Sequence, residues 1–160
     1  MSTINKRDDN RIVVIGFGNS LRGDDAVGRC VVEQVARDWP QVVAVAVTQL
    51  VPELATLVAS AWAVIFVDAC VDTRGEVEVR ELTPACPLTR RLHDTGPREL
   101  LALSRSCYSR APLAWLVAVP GREFGYGEEL SAEAQSHAAD AVRKVEALLE
   151  QLAAEELNHA

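Results

Sequence analysis

The first patterned stretch of the chain is an unbroken apolar run, Ile12-Val13-Val14-Ile15, that stops at Gly16. A short continuous run closed by glycine predicts a strand buried on both faces, here over 11–17. The period then changes. Val27, Val31 and Val35 recur every four residues with Cys30 on the same side, and Pro40 ends the segment. This predicts an amphipathic helix over 24–39, with Asp24 as its N-cap. The two signals go on alternating. Strands are predicted at 41–50 and 62–69, with a short helix at 52–61 between them that opens on Pro52. At 76–82, Val77 and Val79 alternate with Glu and Arg, which predicts an edge strand with one exposed face. A helix at 96–106, a fifth strand at 112–119 and a long helix from a Ser131 cap to about 155 complete the pattern. Val142, Val145, Leu149 and Leu152 form the apolar stripe of that helix, and the last residues are expected to fray.

Strands that alternate with helices predict an α/β fold. Residues 11–155 read as a single domain and 1–10 as a flexible arm without apolar periodicity. The chain has 160 residues, 49% of them hydrophobic, enough for one domain with a sizeable core. Its formal net charge is −7, and its 16 cations are 14 Arg and two Lys spread along the chain. No basic patch favours nucleic acid, so a protein or a small molecule is the expected partner. No apolar run approaches the roughly 18 residues of a membrane span, and the polar N-terminus lacks the apolar centre of a signal peptide. The reading is a cytosolic protein, with no nucleic acid or membrane as partner. Cys30, Cys70, Cys86 and Cys107 have no CxxC spacing and read as buried free thiols.

In an open α/β sheet, sites form beyond the carboxyl ends of the strands, at the point where strand order reverses. The residues in those places are Asp24 and Asp25 after the first strand, Asp68 at the end of the third, and His93 after the edge strand. Two carboxylates and an imidazole from three segments make an O,O,N set suited to a divalent first-row metal. A carboxylate closing a strand as apolar as WAVIFV is costly unless it is partnered or used. His137, in the last helix, and His159, in the tail, read as solvated.

Competing chemistries fit less well. A dinucleotide fingerprint needs a third glycine where Leu21 stands, and two aspartates at a helix start repel a pyrophosphate. There is no G-x-x-x-x-G-K-[ST] loop and no G-x-S-x-G elbow, and no cysteine sits in a nucleophile context.

The segment IGFGNSLRGDDAVG (15–28) resembles the opening signature of the [NiFe] hydrogenase maturation endopeptidases, which remove a C-terminal peptide from the hydrogenase large subunit. TQLVPELA (48–55), VIFVDA (64–69), HDTGPRELLAL (93–103) and PGREFGYGEELS (120–131) are similar to further segments of that family in the same order, so the resemblance covers about 11–152. It implies a three-layer α/β/α sandwich with a mostly parallel five-stranded sheet, phosphorylase/hydrolase-like. It also implies an endopeptidase acting on the large-subunit precursor, as a monomer, with Asp25, Asp68 and His93 as the catalytic and metal-recognising trio. In the family the metal is nickel carried by the substrate, so isolated protein is expected to hold none or an adventitious divalent ion. Some members have Glu at the Asp25 position, and many have Gly at Ala26. Gly18 and Asn19 are candidate donors to the peptide carbonyl, and 49–54 and 121–128 are candidate substrate walls. Two other classes remain open: a nickel-sensing chaperone module that binds the precursor without cutting, and a small-molecule hydrolase.

Overall fold

The computed structural model describes residues 11–70, 73–86, 95–122, 125, 127 and 129–159. Among these residues, five strands and four helices follow in the predicted order: β1 (Ile12–Phe17), α1 (Val27–Asp38), β2 (Val43–Val47), α2 (Ala55–Ala59), β3 (Ala63–Cys70), β4 (Glu78–Leu82), α3 (Pro97–Tyr108), β5 (Leu113–Pro120) and α4 (Ala132–His159). Short 3-10 turns, Gly23–Ala26 and Pro52–Leu54, lead into α1 and α2.

The sheet order is β2-β1-β3-β5-β4, parallel throughout except for the antiparallel β4–β5 pair. Strand alternation sends side chains to two separate cores. Val14, Ile65, Val67 and Val117 pack with α1 and α4. Val13, Ile15, Val64 and Phe66 pack with α2 and α3. The result is the three-layer sandwich. Because the chain goes from β1 to one side and from β3 to the other, order reverses between these two neighbours, and their carboxyl ends flank the crevice where sites form.

Helix α1 lies unusually close to this sheet. A side chain at Gly28 would meet the Val67 carbonyl oxygen at 2.4 Å and that of Phe17 at 3.0 Å, and one at Gly16 would meet the Gly28 carbonyl oxygen at 2.1 Å. The helix therefore rests glycine to glycine on β1 and β3 at the crevice. Close helix–strand packing is the service that a third fingerprint glycine would perform, and here Gly28 supplies it instead of the position held by Leu21.

Three expectations are corrected at the periphery. Cys30 is exposed on α1, as are Cys86 and Cys107, and Cys70 is half-buried, so none is the buried thiol expected. Val77 is buried but Val79 is 40% exposed, because β4 is the sheet edge and Val79 looks onto an open groove against α4. On the opposite side of β4, half-buried Glu78 and Arg80 neutralise each other at 2.7 Å. Finally, α4 continues to His159 instead of fraying at 155. In its last turn Leu157 is 79% exposed, while Glu155 accepts a hydrogen bond from Gln151 one turn earlier. The α4 stripe otherwise packs as read, with Val145, Leu149 and Leu152 buried and Val142 partly so. The 1–10 arm lies outside the described residues. No helix among the described residues is long and apolar enough to cross a membrane.

Candidate functional site

Parallel register places the end of β3 beside the exit of β1. Gly16 pairs with Val67, so Asp68 stands one step beyond that pair, level with the point where β1 gives way to its loop. On its other side Asp68 pairs with Ala118 of β5. The four residues before it, Val64 to Val67, are fully buried. Burying such side chains contributes roughly 1.5–3 kcal/mol each, which holds the strand in place although it ends on a carboxylate.

The cost shows in its acidity. Burial pushes the Asp68 carboxyl up to about 7; the negative charge of Asp25 pushes it the same way, and a hydrogen bond from the Ala69 backbone only partly opposes them. The two acids selected from strand ends thus stand close enough to feel each other's charge. A pair of carboxylates held together without a cation resists full ionisation, and a divalent cation between them removes that resistance.

Asp25 is set by the loop that precedes it. Its Oδ2 accepts the Asn19 N–H at 2.7 Å, and its own N–H donates to the Arg22 carbonyl at 3.1 Å. Gly18 has φ +149°, and a side chain there would overlap the Asp25 carbonyl oxygen at 1.7 Å. Glycine is required at that position by conformation and by space together. The Gly18 N–H donates to the Val47 carbonyl at 3.1 Å. The Gly18 and Asn19 backbone N–H groups are thus engaged inside the fold, which leaves the Asn19 side-chain amide, its Oδ1 accepting the Leu21 N–H at 2.9 Å, as the candidate donor to a peptide carbonyl.

Asp24 also differs from expectation. It does not stand at the N-cap of the helix that follows: it lies inside the 3-10 turn, and the N-cap positions are Arg22 for that turn and Ala26 for α1. It is 1% exposed, and its Oδ2 accepts the Arg122 N–H at 2.9 Å and the Ser131 O–H at 3.0 Å, while Oδ1 accepts the Ser131 N–H at 2.9 Å. Ser131 in turn caps α4, its Oγ accepting the Ala134 N–H at 3.1 Å. Asp24 therefore serves the start of a helix 107 residues away. Nothing in the local sequence could pair it with Ser131, since the contact is purely tertiary.

His93 lies outside the described residues. Among those described, no three His, Cys, Asp or Glu side chains gather closely enough to hold a metal ion, and Asp25 and Asp68 are two members of the expected trio. His137 is half-buried beside Asp24, Arg122 and Glu133 around a cavity of about 70 Å³, so it is not the fully solvated residue expected. The wider grooves lie elsewhere. One of about 380 Å³ runs between β4 and α4, and one of about 410 Å³ lies by Arg11 and Trp39; neither is lined by Asp25 or Asp68. Chemistry, rather than cavity size, marks the site. Cys30 is no competing nucleophile, since partial burial and the charge of Glu33 push its thiol pKa above the usual value and keep it protonated.

No family model matches the chain, and no curated protein matches it. Solved structures do. A hydrogenase 2 maturation peptidase from a Thaumarchaeota archaeon is 25% identical, with 88% of this chain and 99% of that one covered and a TM-score of 0.66. A [NiFe] hydrogenase maturation protease from Thermococcus kodakarensis is 22% identical over 88% and 93%, with a TM-score of 0.69. A hydrogenase maturating endopeptidase from E. coli is 21% identical over 88% and 93%, with a TM-score of 0.68. The backbone and the motifs thus lead to one place: this chain has the fold of the [NiFe] hydrogenase maturation proteases and resembles that family along most of its length.

Proposed function

We propose that this protein is an endopeptidase that removes the C-terminal extension of a nickel-loaded [NiFe] hydrogenase large-subunit precursor. The observation that carries the reading is the carboxylate pair, Asp25 and Asp68, at the switch point of a maturation-protease fold. Nickel belongs to the substrate. Asp25 and Asp68 offer it hard oxygen donors, and His93 is the third ligand by sequence. Binding the metal would relieve the repulsion between the two acids and fix the scissile peptide at the carboxyl end of the sheet. A water polarised there, by the metal or by a carboxylate, would add to the peptide carbonyl; the C–N bond then breaks, and the proton given up by the water goes to the leaving amine of the C-terminal peptide.

The test is intact mass after incubation with nickel-loaded precursor. The expected product is a precursor shortened at its C-terminus, with nickel-free precursor left whole. A stable complex with the precursor mass unchanged would favour the non-catalytic, nickel-sensing chaperone instead. A second expected outcome concerns His93. His93→Ala is expected to lower cleavage below detection while keeping the wild-type melting temperature, because the sequence places it between predicted elements. Full activity in that variant would remove His93 from the trio.

A further inference from the structure

We propose that Asp24 is a positioning residue for this cleavage: its buried carboxylate ties Arg122 and Ser131, at the two ends of the candidate substrate wall, to the turn that carries Asp25. The inference rests on the function proposed above and assigns a task to a residue outside the metal-reading trio.

The lock has two parts. The first is the set of three hydrogen bonds from Arg122 and Ser131 to Asp24. The second is a backbone clasp. The Gly23 N–H donates to the Gly127 carbonyl at 2.9 Å, and the Gly127 N–H donates to the Leu21 carbonyl at 3.0 Å. Arg22 bridges Gly127 within this clasp, and the Arg22 carbonyl accepts the Asp25 N–H. The wall is therefore tied to the turn on both sides of Arg22, and Asp25 is the next residue along from Asp24.

The chemistry selects aspartate at this place. The three groups bonded to it from Arg122 and Ser131 are donors, two of them backbone N–H groups that cannot be rotated away. Asparagine would turn an NH2 group toward at least one of them and leave a buried donor unsatisfied. A lock of this kind matters to a protease because the peptide must be aligned with a metal fixed in the same folded substrate. A misplacement of about 1 Å costs roughly 100-fold in rate.

The test compares Asp24→Asn with the wild type on nickel-loaded precursor, well below both melting temperatures. A Val145→Ala variant of the α4 core serves as a control that lowers stability without touching the lock. For Asp24→Asn, kcat is expected to fall roughly 10–100-fold, with KM within about threefold of wild type. Val145→Ala is expected to keep the wild-type kcat. Should Asp24→Asn fail to fold, Ser131→Ala removes the hydroxyl contact to Asp24 together with the α4 cap to the Ala134 N–H; its kcat is expected to fall about 3–10-fold at unchanged KM, a split that the stability loss of Val145→Ala does not reproduce. A wild-type kcat in the folded Asp24 or Ser131 variant overturns the lock while the proposed function stands, and so does a loss no greater than that of Val145→Ala. Wild-type protein that leaves the nickel-loaded precursor uncut overturns the function and the lock together.

Discussion

Asp68→Asn is expected to abolish cleavage of the nickel-loaded precursor and, at the same time, to make the protein more stable at pH 8. The carboxyl titrates near 7 in the folded state against an ordinary value of 3.8. Between those values the folded chain keeps a proton that the unfolded chain releases. Stability therefore falls as pH rises from about 4 to 7 and stays at its lowest above 7. Some of the burden is screened by solvent at the strand end, leaving about 2–4 kcal/mol at pH 8. Asparagine has the same shape and no charge. For a chain of this size its melting temperature should rise by about 5–10 °C at pH 8, with the gap closing toward pH 4. Thermal unfolding of both proteins across pH 4–8 checks this. A gap that does not change with pH would show that Asp68 is not held against its ionisation. Stability given up at a site of function is a familiar exchange, and here it has one named source.

Gly28→Ala is expected to damage fold and function together. The added methyl group would lie 2.4 Å from the Val67 carbonyl oxygen and 3.0 Å from that of Phe17. Both are backbone atoms of neighbouring inner strands, β1 and β3, and cannot move aside, so α1 must lift. The expected loss is about 3 kcal/mol, or a fall of roughly 6–12 °C in melting temperature. The lift starts two residues after the 3-10 turn that holds Asp25, and Val67 immediately precedes Asp68. The two carboxylates should separate, and cleavage should fall at least 100-fold at temperatures where the variant is still folded. Thermal unfolding with steady-state cleavage checks this. A wild-type melting temperature would mean that α1 does not rest on β1 and β3 as described.

The fold was legible because each buried strand announces itself as a short apolar run. Ile12–Ile15, Trp62–Val67 and Leu113–Val119 contain almost nothing polar, and the helices between them repeat at three and four residues. Asp68 was legible for the same reason: a carboxylate closing such a run needs an explanation, and the sheet supplies a partner in Asp25. What stayed hidden was tertiary. Asp24 looks like a local cap, yet its donors, Arg122 and Ser131, come from the far end of the chain. Cys30 falls on the Val27–Val35 side of α1 by periodicity, but it lies on an open groove between α1 and α4 and is exposed. The role of Gly28 was also missed. In sequence it is one more small residue twelve positions after Gly16, and only the contact between them shows what both are for.

The central claim is that Asp25, Asp68 and His93 together read nickel. The most direct measurement is an anomalous difference map, collected at the nickel edge, from crystals of this protein equilibrated with nickel or bound to nickel-loaded precursor. One peak within coordination distance of the Asp25 and Asp68 carboxylates and the His93 ring is the expected result. Nickel bound elsewhere on the protein with that position empty, or a peak that persists unchanged in Asp68→Asn, would contradict it.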